Sequence, residues 1–135
     1  MRPTPKKHII MADDDADITD MFREMADDQC PDLKISLAGN GKETLDLLKI
    51  IPIPDAIILD INMPLMNGKD CLFNIRSNPA YDGVPIIMLS SGNNANEIRS
   101  CIAAGANYYF VKPSSYLELK TIVNSVCSGN FEHAA

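Results

Sequence analysis

Two hydrophobic periods take turns along the chain. Residues 7–12 form a short apolar run that ends in acids. Residues 15–28 then place Ile18, Met21, Phe22 and Met25 at helical spacing, which predicts one apolar helix face. Residues 33–38 set Leu33, Ile35 and Leu37 at alternate positions, the pattern of a half-buried strand with those three side chains inward. A turn at Asn40–Gly41 leads to a helix over 42–50 carrying Leu45, Leu47 and Leu48 and ending at Pro52. Ala56–Leu59 is apolar at every position, as in a strand covered on both faces. A helix over 67–77 follows, with Cys71, Leu72 and Ile75 apolar, then a fourth apolar run at Val84–Leu89 and a loop at Ser91–Asn94. Residues 95–104 read as a helix stopped by Gly105, and residues 107–111 as a fifth strand. The last helix is expected over 115–127, with Leu117, Leu119, Ile122, Val123 and Val126 apolar.

Five strands and five helices in strict alternation define an α/β chain. Parallel neighbours need crossovers, and helical crossovers cover both faces, so the pattern predicts one doubly wound parallel sheet. The 135 residues suit a single domain with a full hydrophobic core. That domain is expected over residues 1–135, with its core over 7–127 and a loose tail at 128–135. No internal repeat or low-complexity segment breaks the order, and no output domain is expected.

The polar residues at the strand ends carry the chemistry. Asp13 and Asp14, Asp60, Ser90 and Lys112 each follow an apolar run. In an open parallel sheet the C-terminal strand ends share one edge, where ligands bind, so these side chains are expected to converge. Carboxylates brought together raise one another's pKa values or recruit a cation. Asp13, Asp14 and Asp60, with a main-chain carbonyl and waters, compose a hard oxygen site that suits Mg2+ and leaves positions for phosphate oxygens. Capping of the first helix accounts for Asp15, but not for the other acids.

Asp60, directly after a buried strand, is placed to attack phosphorus and form an acyl phosphate. Pro64 fixes the loop behind it, and Asn67–Gly68 allows a tight turn. The competing reading makes Asp60 a plain strand-end acid. Lys112 offers a mobile point charge for phosphate or carboxylate. Pro113 keeps Lys112 out of helical geometry and leaves the isomer of the bond between them open. Ser90 offers a hydroxyl to a phosphoryl oxygen. Either residue alone reads as an ordinary surface residue; their coincidence at matching strand ends gives them meaning.

Composition narrows the classes further. With 46% hydrophobic and 22% charged residues the chain is an ordinary globular sequence. No apolar run approaches the roughly 18–20 residues of a membrane helix. Basic Met1–Lys7 leads straight into a strand without a cleavage pattern, so no signal peptide is expected and the expected location is cytoplasmic. A net charge of −6 argues against generic nucleic-acid binding. Cys30, Cys71, Cys101 and Cys127 form no Cys-x-x-Cys pair, and reduced, packed thiols are expected rather than a disulfide framework or a zinc site.

The motifs Asp13-Asp14, Asp60-x-Asn62-Met63-Pro64-x-x-Asn67-Gly68, Ser90, Gly105-Ala106 and Lys112-Pro113 together resemble the receiver domain of two-component response regulators, and the chain is similar to the chemotaxis receivers. The resemblance spans residues 7–127. It implies a flavodoxin-like sheet of order 2-1-3-4-5. It further implies that Asp60 accepts phosphoryl from the phosphohistidine of a sensor histidine kinase or a histidine phosphotransfer protein. Asp13 and Asp14 would hold Mg2+ with Asp60 and the carbonyl of Asn62. Ser90 would turn toward the phosphoryl group, Lys112 would contact it, and Tyr109 would be the switch aromatic whose rotamer follows the serine. The face built by helix four, strand five and helix five would change shape and bind a downstream protein. A phosphoryl group adds roughly 1.5 to 2 negative charges. Moving a two-state equilibrium from 1:99 to 99:1 needs about 5.5 kcal/mol, so several of its contacts must act together. The resemblance implies a monomer or weak homodimer with no small-molecule enzyme activity, a protein that catalyses only its own phosphorylation and dephosphorylation. No nucleic-acid or membrane partner is expected.

Some positions depart from the family pattern. Ser90 stands where threonine is frequent and lacks the methyl that limits rotamers. Gly92 stands where a larger side chain often sits, which opens the approach to the acyl phosphate and is expected to give it an unusual lifetime, in either direction. Ser114 and Ser115 follow Pro113 where phenylalanine is frequent, leaving the start of the last helix unassigned. Three other readings compete. A magnesium-dependent phosphatase with an aspartate nucleophile usually wants an acid two residues on to protonate the leaving group; that place holds Asn62. A phosphorylation-independent interaction module would keep only the fold. A phosphorelay intermediate would pass its phosphoryl group to a histidine phosphotransfer protein, and the sequence does not separate it from a stand-alone regulator.

Overall fold

The computed structural model describes residues 7–130; the expectations for the extreme N-terminus and for most of the loose tail lie outside the described residues. The elements in chain order are β1 (His8–Ala12), α1 (Ala16–Gln29), β2 (Lys34–Ala38), α2 (Gly41–Leu48), β3 (Ala56–Asp60), α3 (Gly68–Arg76), β4 (Ile86–Ser90), α4 (Ala95–Ala103), β5 (Tyr108–Val111) and α5 (Tyr116–Ser128). A 3-10 turn at Pro79–Tyr81, not anticipated from the pattern, precedes β4. All strand pairs are parallel and the sheet order is β2-β1-β3-β4-β5. The chain therefore has the flavodoxin-like architecture that the motifs imply.

The period-2 geometry of the strands divides the core between two faces. Ile9, Met11, Ile58, Ile87 and Leu89 pack against Phe22 and Met25 of α1 and against Leu119, Ile122, Val123 and Val126 of α5. Ile10, Ile57, Leu59, Ile86 and Met88 point the other way, onto Leu48 of α2, Cys71, Leu72 and Ile75 of α3 and Cys101 of α4. β3 and β4 are buried at every position. That is why they read as unbroken apolar runs, and why each extends one residue further than expected, drawing Asp60 and Ser90 into the sheet.

Where apolar residues fall off these stripes, the pattern overreaches. Leu37, expected inward, is exposed on edge strand β2, beside Asp14 and Thr19 at the start of α1, beyond the cover of the helix. Met21 and Leu117 are exposed for a different reason: their helices bury a narrower stripe than the spacing suggested. Arg76, at the end of α3, donates to the carbonyls of Tyr81, Val84 and Gly105 and to Asn107 Oδ1, tying the 3-10 turn, the approach to β4 and the turn before β5 into one corner.

Each helix begins on a side-chain cap: Asp15, Asn40, Asn67, Asn94 and Ser115 accept main-chain N–H groups of their first turns. Asn40 and Asn67, which read as turn residues, are therefore helix starts. Ser115 resolves the start of the last helix, and Glu118 reaches back to the N–H and hydroxyl of Ser114. No cis peptide bond occurs among the described residues.

The cysteine expectation requires correction. Cys30, just past α1, and Cys127, near the end of α5, form a disulfide, while Cys71 and Cys101 are free and buried. Spacing could not disclose this pair, because the two residues lie 97 positions apart. They meet only because α1 and α5 run side by side on one sheet face, so that their C-terminal ends adjoin. Among the described residues no helix is long and apolar enough to cross a membrane.

Candidate functional site

The parallel register carries four strand ends to one edge. Asp13 leaves β1 with its N–H on the Ala38 carbonyl, and its Oδ1 accepts the N–H of Asp15 at 2.9 Å. Asp60 ends β3 opposite Leu89 of β4. Lys112, just after β5, donates its main-chain N–H to the Ser90 carbonyl at 2.7 Å, which aims its side chain back along the edge. Its Nζ stands 3.1 Å from Asp13 Oδ2 and 3.1 Å from Asp60 Oδ2.

The loop after β3 is fitted closely around Asp60. Gly68 donates its N–H to the Ile61 carbonyl, and a Cβ built at Gly68 would lie 2.2 Å from the Asp60 carbonyl oxygen. Only glycine lets α3 begin that near the strand end. The N–H of Asn62 donates to Asp60 Oδ1 at 3.3 Å, and Asn62 stands exposed on the rim.

Charge in this cluster is unbalanced. Asp13 and Asp60 are almost wholly buried, and the Oδ2 atom of each faces the Lys112 ammonium and has no regular hydrogen-bond partner among the described residues. Asp14, more exposed, brings a third carboxylate: oxygens of Asp13, Asp14 and Asp60 lie within 4.8 Å of one another. Burial, then the charge of Asp13, raises Asp60 from its ordinary 3.8 to about 6, against the lowering pull of Lys112 and of the Asn62 N–H. Burial disfavours the Lys112 ammonium, but the two carboxylates outweigh it and raise its pKa. Asp14, Asp17, Asp60, Asn62, Ser91 and Lys112 line an open pocket of about 510 Å³ above the cluster. Hard oxygen donors with an excess of negative charge suit a divalent cation of the magnesium type.

Ser90 and Tyr109 lie beside this cluster but are engaged elsewhere. Ser90 Oγ donates to Glu97 Oε1 at 3.3 Å and accepts the Gly92 N–H at 3.2 Å. The Tyr109 hydroxyl reaches the Gly92 carbonyl at 2.9 Å and the same Glu97 oxygen at 3.0 Å. Burial chiefly raises the Tyr109 phenol pKa, with Glu97 adding to it and Ser90 opposing. Glu97 escaped the reading of the chain: three residues after Asn94 it has the spacing of a helix-capping acid, and nothing in the pattern turns it inward. A Cβ at Gly92 would meet no heavy atom within 4 Å, so a larger side chain has room at this position. The geometry thus gathers Asp13, Asp14, Asp60 and Lys112 with Asn62 at the rim, and sets Ser90 and Tyr109 in a second, adjoining group.

A doubly wound parallel sheet with three carboxylates and a lysine at its C-terminal edge defines an α/β protein built around an acidic, cation-seeking pocket. The chain belongs to the response regulator receiver domain family of two-component signalling, whose model matches residues 9–124. A chemotaxis protein CheY homolog from Campylobacter jejuni is 35% identical over 99 residues, covering 73% of this chain and 76% of that one. The phosphorylated cyanobacterial phytochrome response regulator RcpA has a similar fold, with a TM-score of 0.85, 23% identity and coverage of 96% of this chain and 97% of that one. The Mn(2+)-bound form of response regulator Rcp1 matches with a TM-score of 0.82 and 21% identity, covering 96% and 97% of the two chains. Receiver domains are signalling modules rather than small-molecule enzymes, in keeping with the expectation for this chain.

Proposed function

We propose that the chain acts as a single receiver module that accepts a phosphoryl group on Asp60 from the phosphohistidine of a sensor histidine kinase or histidine phosphotransfer protein. The observation that carries this reading is the pair of buried carboxylate oxygens, on Asp13 and Asp60, that share the Lys112 ammonium and have no other partner among the described residues. At pH 7 a carboxyl with a pKa of about 6 is about nine-tenths ionised, so Asp60 is available as a nucleophile. Its Oδ2, paired with the Lys112 ammonium at rest, attacks phosphorus in line with the leaving imidazole nitrogen. The O–P bond forms as the P–N bond breaks, and the imidazole takes a proton from solvent.

Asp13, Asp14, Asp60 and the Asn62 carbonyl would hold Mg2+, which when bound neutralises charge on the phosphoryl oxygens. The Mn(2+)-bound Rcp1 structure supports a divalent ion in this fold. Lys112 keeps Asp60 ionised and then has a phosphoryl oxygen to contact in place of a carboxylate oxygen. Ser90 supplies a hydroxyl to another oxygen, and Tyr109 responds to its movement. The face of α4, β5 and α5 then binds a downstream protein. Borohydride reduction of the phosphorylated protein, followed by peptide mapping, tests the acceptor. Conversion at residue 60 is expected; a phosphoryl group trapped at any other residue overturns the assignment.

A further inference from the structure

We infer that Glu97 is a positioning residue that holds Ser90 and Tyr109 in the resting state, and that phosphorylation must take Ser90 away from it. The inference rests on the reading of Asp60 as phosphoryl acceptor. A serine hydroxyl has one proton to donate. In the resting protein that proton is directed at Glu97 Oε1, and the Gly92 N–H occupies one acceptor site of Ser90 Oγ. Ser90 therefore donates to a phosphoryl oxygen on Asp60 only after its bond to Glu97 breaks. At 3.3 Å that bond is long enough to yield, yet its acceptor is a carboxylate, which makes it stronger than a neutral pair at equal length.

The second half of the device is Tyr109. Its single hydroxyl proton is shared between the Gly92 carbonyl and the same Glu97 oxygen. Once Ser90 leaves, Glu97 Oε1 loses one of its two donors, and a half-buried carboxylate draws the remaining donor toward itself. Tyr109 then bonds Glu97 more fully and releases the Gly92 carbonyl. Glu97 lies in the first turn of α4, on a cap formed by Asn94. The exchange is thus felt at the start of α4 and in the loop joining it to β4, which connects the acidic pocket to the face that faces a partner. The Gly92 carbonyl thereby loses the Tyr109 hydroxyl that it accepts in the resting state.

The test compares phosphoryl uptake from acetyl phosphate with Mg2+, followed by intact mass, in the unmodified chain, Glu97→Ala, Glu97→Gln, Ser90→Ala and Ser90→Ala with Glu97→Ala. Removing the restraint on Ser90 is expected to speed uptake about three- to tenfold in Glu97→Ala, the scale of one ordinary hydrogen bond, because the Ser90–Glu97 bond is long at 3.3 Å. Glu97→Gln, which keeps an acceptor without the charge, is expected to fall between the two and covers the case in which the alanine variant is poorly folded. Without Ser90 the Glu97→Ala change is expected to give no acceleration. That dependence separates positioning from a general loosening of α4. Uptake by the unmodified chain with both Glu97 variants at the same rate overturns the inference alone, as does an acceleration that persists without Ser90. No uptake by the unmodified chain overturns the acceptor reading and the inference with it.

Discussion

Replacing Asp60 by asparagine should stabilise the protein at neutral pH, although it removes half of a buried ion pair. Asparagine has the shape of the protonated acid and none of its charge. In the folded protein, burial and the Asp13 charge raise Asp60 from 3.8 to about 6, so between those values the native state keeps a proton that the unfolded chain has released. Ionised Asp60 therefore costs stability, from just above pH 3.8 upward, and the cost levels off once pH has passed about 6. A shift of that size corresponds to about 3 kcal/mol at pH 7 and to well under about 1 kcal/mol at pH 4. Urea unfolding of the parent and Asp60→Asn, in EDTA so that no cation offsets the charge, should give midpoints that nearly coincide at pH 4 and separate as pH rises, with the variant ahead. His8, whose pKa burial lowers from 6.5, adds a slope of opposite sense, stability lost as pH falls below that value, but it cancels in the difference. A variant less stable than the parent at pH 7, or a gap independent of pH, would refute the reasoning.

Other changes probe the frame that holds the site. Gly68→Ala drives a Cβ into the Asp60 carbonyl and should cost about 1–3 kcal/mol in urea unfolding, together with much of the phosphoryl uptake. Gly83→Ala, where a Cβ meets nothing, should stay within about 0.5 kcal/mol, and a cost equal to that of Gly68→Ala would sink the steric account. Arg76→Ala removes the donor shared by the Tyr81, Val84 and Gly105 carbonyls and Asn107 Oδ1; the Tyr81 carbonyl keeps the Val84 N–H and Asn107 Oδ1 the Ile86 N–H, and the loss should cost about 2–3 kcal/mol. Arg76→Lys should recover little of it, because an ammonium cannot reproduce the fork. Reduction of Cys30–Cys127 should cost about 2–4 kcal/mol by freeing the ends of a long loop in the unfolded chain. Cys30→Ser should show no dependence on reductant, and a parent equally insensitive would contradict a stabilising cross-link.

The acids of the pocket were legible because each ends a strand that is buried on both faces. Once Ala56–Leu59 and Val84–Leu89 are read as central strands, the position of Asp60 and Ser90 follows from the parallel register alone. What escaped depends on side chains reaching across elements. Arg76 looks like any basic residue at a helix end until the turn at 79–81 folds beneath it. Glu97 looks like a capping acid until β5 brings Tyr109 alongside. Cys30 and Cys127 have no common local pattern at all. Leu37 and Leu117 failed in the opposite direction: they fit the period, but the period says nothing of how far a neighbouring helix extends or how wide a stripe it covers.

Intact mass after incubation with a small acyl phosphate donor, with and without Mg2+ and beside Asp60→Asn, tests the central claim most directly. The account predicts a gain of one phosphoryl group that needs the metal and is absent in the variant. An equal gain in Asp60→Asn, or none in the parent with Mg2+ present, would contradict it.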